Sequence, residues 1–121
     1  MKHLERYQIL TDKQHGFRSQ HSCETQLFQT VHDLALSLEN KQQTDLIVMD
    51  FSKAFDTVPH QRLLRKLSHC GIVGNIHSWF NKFITTRKQR VVVGGENSHW
   101  VDVLSGVPQG TVVGPLLFLI I

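Results

Sequence analysis

At 121 residues the chain has room for at most one domain, against about 150 residues per domain. Thirteen Lys and Arg against ten Asp and Glu leave a net charge of +3, and 40% apolar with 19% charged residues excludes intrinsic disorder as the main reading. Cys23 and Cys70 are too few for a disulfide framework and the start MKHLERYQIL is no secretory signal, so a reduced, intracellular setting is expected, with nucleus and cytoplasm not distinguished. In chain order, residues 1–13 are expected to hold the tail of a helix ending near Leu10, and residues 16–20 a loop. Ser22 suits a helix cap, with Glu24 in the first turn and Leu27, Phe28, Val31, Leu34, Ala35 and Leu38 recurring at helical spacing. That predicts an amphipathic helix over residues 22–39. A polar connection over 40–44 leads into the apolar run 46–49, read as a buried strand.

Beyond Asp50 the period changes. Pro59 suits a first helical turn, Leu63, Leu64 and Leu67 give an apolar stripe, and Gly71 ends it. A further helix carries Ile76, Trp79, Phe80, Phe83 and Ile84 on one face, a core face rather than a base-stacking one. Residues 90–93 and 100–104 flank Gly94-Gly95-Glu96-Asn97 and predict an antiparallel hairpin. Residues 105–110 form a turn, and from Thr111 a buried helix or strand begins. The predicted class is α+β, with helices packed on a small antiparallel sheet. Gly, Pro and Gln interrupt residues 103–121 too often for a membrane span of about 20 apolar residues. The last charge is Asp102 and the chain stops within the apolar run 116–121, so it is expected to be a fragment, truncated at both ends.

Two segments carry chemistry. Asp50 directly follows the predicted strand, which would hold its carboxylate rigidly, and the Phe51 main-chain carbonyl adds a second oxygen. Mg²⁺ prefers such oxygen donors and keeps its other sites for phosphates. The ordinary reading is a polar residue capping the turn after a strand, and Asp56 is read as capping the turn before Pro59. In Ser105-Gly106-Val107-Pro108-Gln109-Gly110, Pro108 fixes φ, the glycines permit close backbone approach, and Gln109 can both donate and accept. A helix opening at Thr111 would add free N–H groups for an anion; the alternative is a tight turn between hairpin and helix. Lys82, Arg87, Lys88 and Arg90 concentrate positive charge, which permits a polyanionic partner but equally suits a solvated helix end. Neither His21, Cys23 and His32 nor His69, Cys70 and His77 match zinc spacings, and Cys70 is expected in the core.

The string DFSKAFDTVPH, residues 50–60, is similar to the first catalytic block of reverse transcriptases. SGVPQGTVVGPLLFLI, residues 105–120, resembles their second block, and QHGFRSQHSCETQL, residues 14–27, their upstream fingers block. The three in this order most resemble the polymerases of non-LTR, LINE-like, jockey-type retrotransposons. The resemblance implies a right-hand polymerase, with residues 1–45 as fingers-side helices and 46–121 as partial palm with inserted helices and hairpin. It implies RNA-templated extension of a DNA primer with dNTPs by a two-metal mechanism, with Mg²⁺ (Mn²⁺ as the alternative ion) and no membrane partner; the oligomeric state is left open. Carried onto this chain, Asp50 binds both ions and Phe51 offers its carbonyl. Lys53 lies near the triphosphate, Phe55 is the steric gate against a 2′-hydroxyl, Gln109 and Gly110 sit beside the incoming nucleotide and template, and Arg18 lies in the fingers, where a cation can meet template or triphosphate. The family also uses a later Asp-Asp block, and this chain contains no such pair. The 121 residues are therefore expected to be inactive alone. The other reading is a decayed, non-catalytic element remnant that at most binds nucleic acid weakly.

Overall fold

Helix ends leave backbone groups without intrahelical partners, and local side chains or turns take some of them up. The structure, a computed structural model, describes residues 2–121 and divides into two compact units, the first ending at Ser52 and the second running from Lys53 to Ile121. The first holds α1 (Lys2–Arg6) and α2 (Cys23–Glu39). Ser22 caps α2 in extended conformation: its hydroxyl accepts from the Thr25 N–H at 3.2 Å, while the Thr25 hydroxyl accepts from the Ser22 N–H at 2.9 Å. Two otherwise orphaned donors are thus satisfied reciprocally. A hydrogen bond with the Ser22 side chain also holds the exposed Glu24 carboxyl below its ordinary pKa. Both helices end in the same motif. The N–H of Ile9 bonds the Leu4 carbonyl and that of Gln42 the Ser37 carbonyl, with Gln8 (φ 50°) and Lys41 (φ 56°) in the left-handed region between. α1 therefore stops at Arg6, short of the Leu10 expected.

Two expectations for this unit are corrected. Residues 46–49 form no strand, and Leu46, Ile47, Val48 and Met49 are 64–86% exposed. β-rich composition records fitness for a sheet, but a strand exists only where neighbours take its N–H and C=O groups. The strand pairs among the described residues lie elsewhere. Likewise α2 forms as expected yet buries no residue, and Leu27, Phe28, Val31 and Leu38 of its stripe are exposed.

The second unit contains α3 (His60–His69), α4 (Gly74–Thr85), four short strands and α5 (Val113–Ile120). Pro59 sits one residue earlier than expected, as the α3 cap. Gly71, at φ 77°, ends α3: its N–H bonds Ser68 O and that of Ile72 bonds Leu67 O. The stripe Leu63, Leu64 and Leu67 is buried, with Ile84 of α4 and Leu117 and Ile120 of α5. Each such side chain contributes about 1.5–3 kcal/mol of transfer free energy. α3 packs on α4 and α5, and His77 of α4 hydrogen-bonds the Leu64 carbonyl at 3.0 Å. Trp79 stacks on Phe83 at 4.9 Å, but Trp79 and Ile76 stay half exposed, so α4 buries only part of its predicted face. Cys70 is intermediate in burial rather than in the core.

The strands are β1 (Lys88–Gln89), β2 (Val92–Val93), β3 (Glu96–Asn97) and β4 (Val101–Asp102). β2 pairs with β3 about Gly94 (φ 58°) and Gly95 (φ 88°), and β1 with β4, both antiparallel. The predicted hairpin is present, but its turn is the two glycines alone, and Glu96 and Asn97 belong to the return strand. The register Val92↔Asn97 becomes Gln89↔Val101, so the return strand carries one extra residue, a bulge. Beside it the Ser98 hydroxyl accepts the Val91 N–H at 2.9 Å, standing in for a carbonyl. The class is α+β, but α4 and α5 pack on α3 rather than on these strands, which are too short to offer a face. Among the described residues, no helix is long and apolar enough to cross a membrane.

Candidate functional site

The second unit brings two loops together: residues 53–58, which lead into α3, and residues 105–110, which lead into α5. The first is a turn nucleated by the Lys53 carbonyl, which accepts from the N–H groups of Asp56 at 2.9 Å and Thr57 at 3.1 Å. Four hydrogen bonds join the loops. Gly106 N–H donates to Val58 O and Val107 N–H to Phe55 O, each at 2.8 Å. The Ser105 hydroxyl donates to Asp56 O at 2.8 Å, and the Gln109 amide to Asp56 Oδ1 at 3.2 Å. Gly106 has φ 89°, and a Cβ there would lie 2.8 Å from the carbonyl oxygens of both Phe55 and Asp56. The position therefore admits only glycine, for backbone angle and for space.

The Gly106 carbonyl is held as firmly. His60 Nε2 lies 2.9 Å from it, and the Arg87 guanidinium donates to it through Nη2. His60 is buried at the first residue of α3, whereas Arg87 follows α4 and also bonds the Ile84 carbonyl through Nε at 3.4 Å. Burial lowers the Arg87 pKa, by withdrawing water from the cation. Between these loops and the hairpin base lies a cavity of about 840 Å³, lined among others by Asp56, Arg87, Lys88, Asp102 and Gln109.

Of the residues singled out from sequence, Phe55, Asp56 and Gln109 meet here. Phe55 stacks on Phe118 of α5, with ring centroids 4.8 Å apart and planes at 23°. Lys53 and Gly110 are exposed at the loops' outer ends, with φ 51° and 72°. Asp56 does not cap the turn before Pro59; its carboxylate is engaged by Gln109. The α5 N-terminus is also less open than expected, because the Thr111 hydroxyl accepts the Gly114 N–H at 2.9 Å and Pro115 has none to give. His60 and Phe118 escaped the reading of roles from sequence, which takes Arg87 only as part of a basic cluster, not as a partner of the Gly106 carbonyl. The one available signal was a histidine set among Val58, Leu63 and Leu64, which marks a polar group about to be buried.

Asp50, Phe51 and Arg18 belong to the first unit. Asp50 and Phe51 lie in irregular, exposed chain, not at a strand end. The Asp50 carboxylate makes no hydrogen bond or ion pair among the described residues. Arg18 bonds the Thr11 carbonyl at 2.7 Å and that of Gln14 at 3.5 Å, both through Nη1, which ties one nitrogen of its guanidinium to its own loop. A free carboxylate beside a main-chain carbonyl fits a hard cation that completes its shell with water and phosphate oxygens. No group of three His, Cys, Asp or Glu among the described residues would close such a shell.

The profile of the family described as reverse transcriptase (RNA-dependent DNA polymerase) matches residues 1–121. The chain is 34% identical over 105 residues to the RNA-directed DNA polymerase from mobile element jockey of Drosophila melanogaster, covering 87% of this chain and 11% of that protein. It is 31% identical over 115 residues to the probable RNA-directed DNA polymerase from transposon BS of the same species, covering 91% and 12%. It is 34% identical over 77 residues to the Pol polyprotein from type-1 retrotransposable element R2 of Popillia japonica, covering 64% and 13%. The chain thus spans 11–13% of the length of these relatives. No solved structure matches it.

Proposed function

This chain belongs to the reverse transcriptase (RNA-dependent DNA polymerase) family, and from that premise we propose that its residues serve RNA-directed DNA synthesis in a retrotransposon polymerase. Residues 1–45 lie on the fingers side and 46–121 in the palm of a right-hand enzyme. The observation that supports this most is the docking of the 53–58 and 105–110 loops, which sets Phe55 and Gln109 in one unit through four hydrogen bonds.

The substrates are an RNA template, a DNA primer and dNTPs. The Asp50 carboxylate and the Phe51 carbonyl hold divalent cations, Mg²⁺ or Mn²⁺, which when bound supply charge neutralisation at the reacting phosphate. Lys53 offers a mobile point charge to the triphosphate, the role an ammonium fills better than a planar fork. The Phe55 ring takes the volume that a ribose 2′-hydroxyl would need. Gln109 and Gly110 line the nucleotide, where a neutral amide can bond without demanding one base. Arg18 meets the template with the donors its loop leaves free.

Primer extension on an RNA template by the polymerase carrying these residues tests the reading. Wild type should extend with dNTPs and discriminate against ribonucleotides, and Phe55→Val should raise ribonucleotide use. Absence of RNA-templated extension in the wild type would overturn it.

A further inference from the structure

The Gly106 carbonyl accepts from two side chains, one on α3 and one just past the end of α4, that are far apart in sequence. His60 stands 46 residues away, at the start of α3. Arg87 follows the end of α4. Both lone pairs of the oxygen are therefore occupied. The same residue's N–H is bound to Val58 O, and the space beside its α-carbon is filled by the Phe55 and Asp56 carbonyls. Gly106 is thus fixed at its nitrogen, its α-carbon and its oxygen, three residues before Gln109.

We infer that His60 and Arg87 are positioning residues that clamp the 105–110 loop to the α3 and α4 scaffold and so set where Gln109 stands. The inference rests on the proposed polymerase role of Gln109 for its consequence, but not for the clamp itself. The chemistry of the clamp is specific. A carbonyl oxygen requires a donor, so His60 must carry a proton on Nε2, in the neutral tautomer or the imidazolium. Loss of that bond would leave the buried ring unpaired and the carbonyl held by Arg87 alone. Arg87 joins the loop to the last turn of α4 by one rigid guanidinium, which a lysine's single ammonium cannot reproduce. Gln at position 60 retains a donor at the reach of Nε2; Leu keeps the bulk and loses the donor.

Two measurements test the clamp. In the 121-residue chain, amide hydrogen exchange at Gly106 and Val107 should quicken at least about 10-fold in His60→Leu and in Arg87→Ala, the factor expected for one lost hydrogen bond at a held loop. Exchange within α4 should not change, and His60→Gln should stay near wild type. In primer extension by the polymerase carrying these residues, Arg87→Ala and His60→Leu should raise the KM for dNTP about 10-fold with kcat nearly kept, and His60→Gln should restore the KM. Should His60→Leu unfold the chain, Arg87→Ala and Arg87→Lys on the half-buried side of the clamp carry the same test. Unchanged exchange at Gly106 and Val107 in Arg87→Ala would overturn the clamp, and a loss of kcat with KM unaltered would overturn its positioning of Gln109. A wild type that fails to extend a primer counts against the polymerase reading alone, because the exchange result stands without it.

Discussion

The Gln109 amide donates to Asp56 Oδ1 across 53 residues of chain, at 3.2 Å. The acid of one loop thereby satisfies the amide of the other. Both groups are exposed, so water competes for each and the net gain is small. Asp56→Ala should lower stability by only about 0.5–1 kcal/mol, and Asp56→Asn by less, since its oxygen still accepts. Urea unfolding of the chain measures both, and a loss of several kcal/mol would show that the contact is worth far more than its exposure implies.

Gly106 and Gly95 separate two reasons for needing glycine. Both have φ near 90°, but a Cβ at Gly106 meets two backbone carbonyls at 2.8 Å, whereas at Gly95 it meets nothing within 4 Å. Gly95→Ala should cost about 1 kcal/mol from backbone conformation alone. Gly106→Ala adds overpacking against a backbone that cannot yield, for a total of about 2–4 kcal/mol. Equal midpoints for the two variants in denaturant would contradict this account of the loop.

Phe118 backs Phe55, with ring centroids 4.8 Å apart. An offset pair of this kind is worth about 0.5–1.5 kcal/mol beyond its buried area. If the Phe55 ring excludes ribonucleotides, loosening it from behind should weaken that exclusion. Phe118→Leu should lower the dNTP-over-NTP preference by about 2- to 12-fold while leaving Phe55 itself in place. The ratio of kcat/KM for the two sugars checks it, and an unaltered ratio would detach Phe118 from the gate.

The parts legible in the sequence were those decided by neighbours in the chain. Ser22 caps α2 because the Thr25 hydroxyl lies one turn on. Leu63, Leu64 and Leu67 bury one face because three- and four-residue spacing aligns them. Gly71 and the Gly94-Gly95 pair end a helix and turn a hairpin by their own φ. The unread parts depend on residues far away. The apolar run 46–49 looks like a strand in composition, yet strand formation is settled by partners that the run does not contain. The bulge beside Ser98 required knowing both strands' registers. The SGVPQG string showed a tight turn, but not that His60 and Arg87 would converge on its second residue.

Asp50 bears the central claim, that these residues belong to a metal-dependent RNA-directed DNA polymerase. The decisive measurement is the single-turnover rate of nucleotide addition on an RNA template by the polymerase with Asp50→Asn, beside Asp45→Asn as an exposed acid on the same segment. Removing the carboxylate should cut the rate by about 1,000-fold or more, on the scale of losing a preorganised charge at the reacting centre, while affinity for primer and template stays within about 2-fold. Asp45→Asn should behave as wild type. Addition by Asp50→Asn at the wild-type rate would contradict the account.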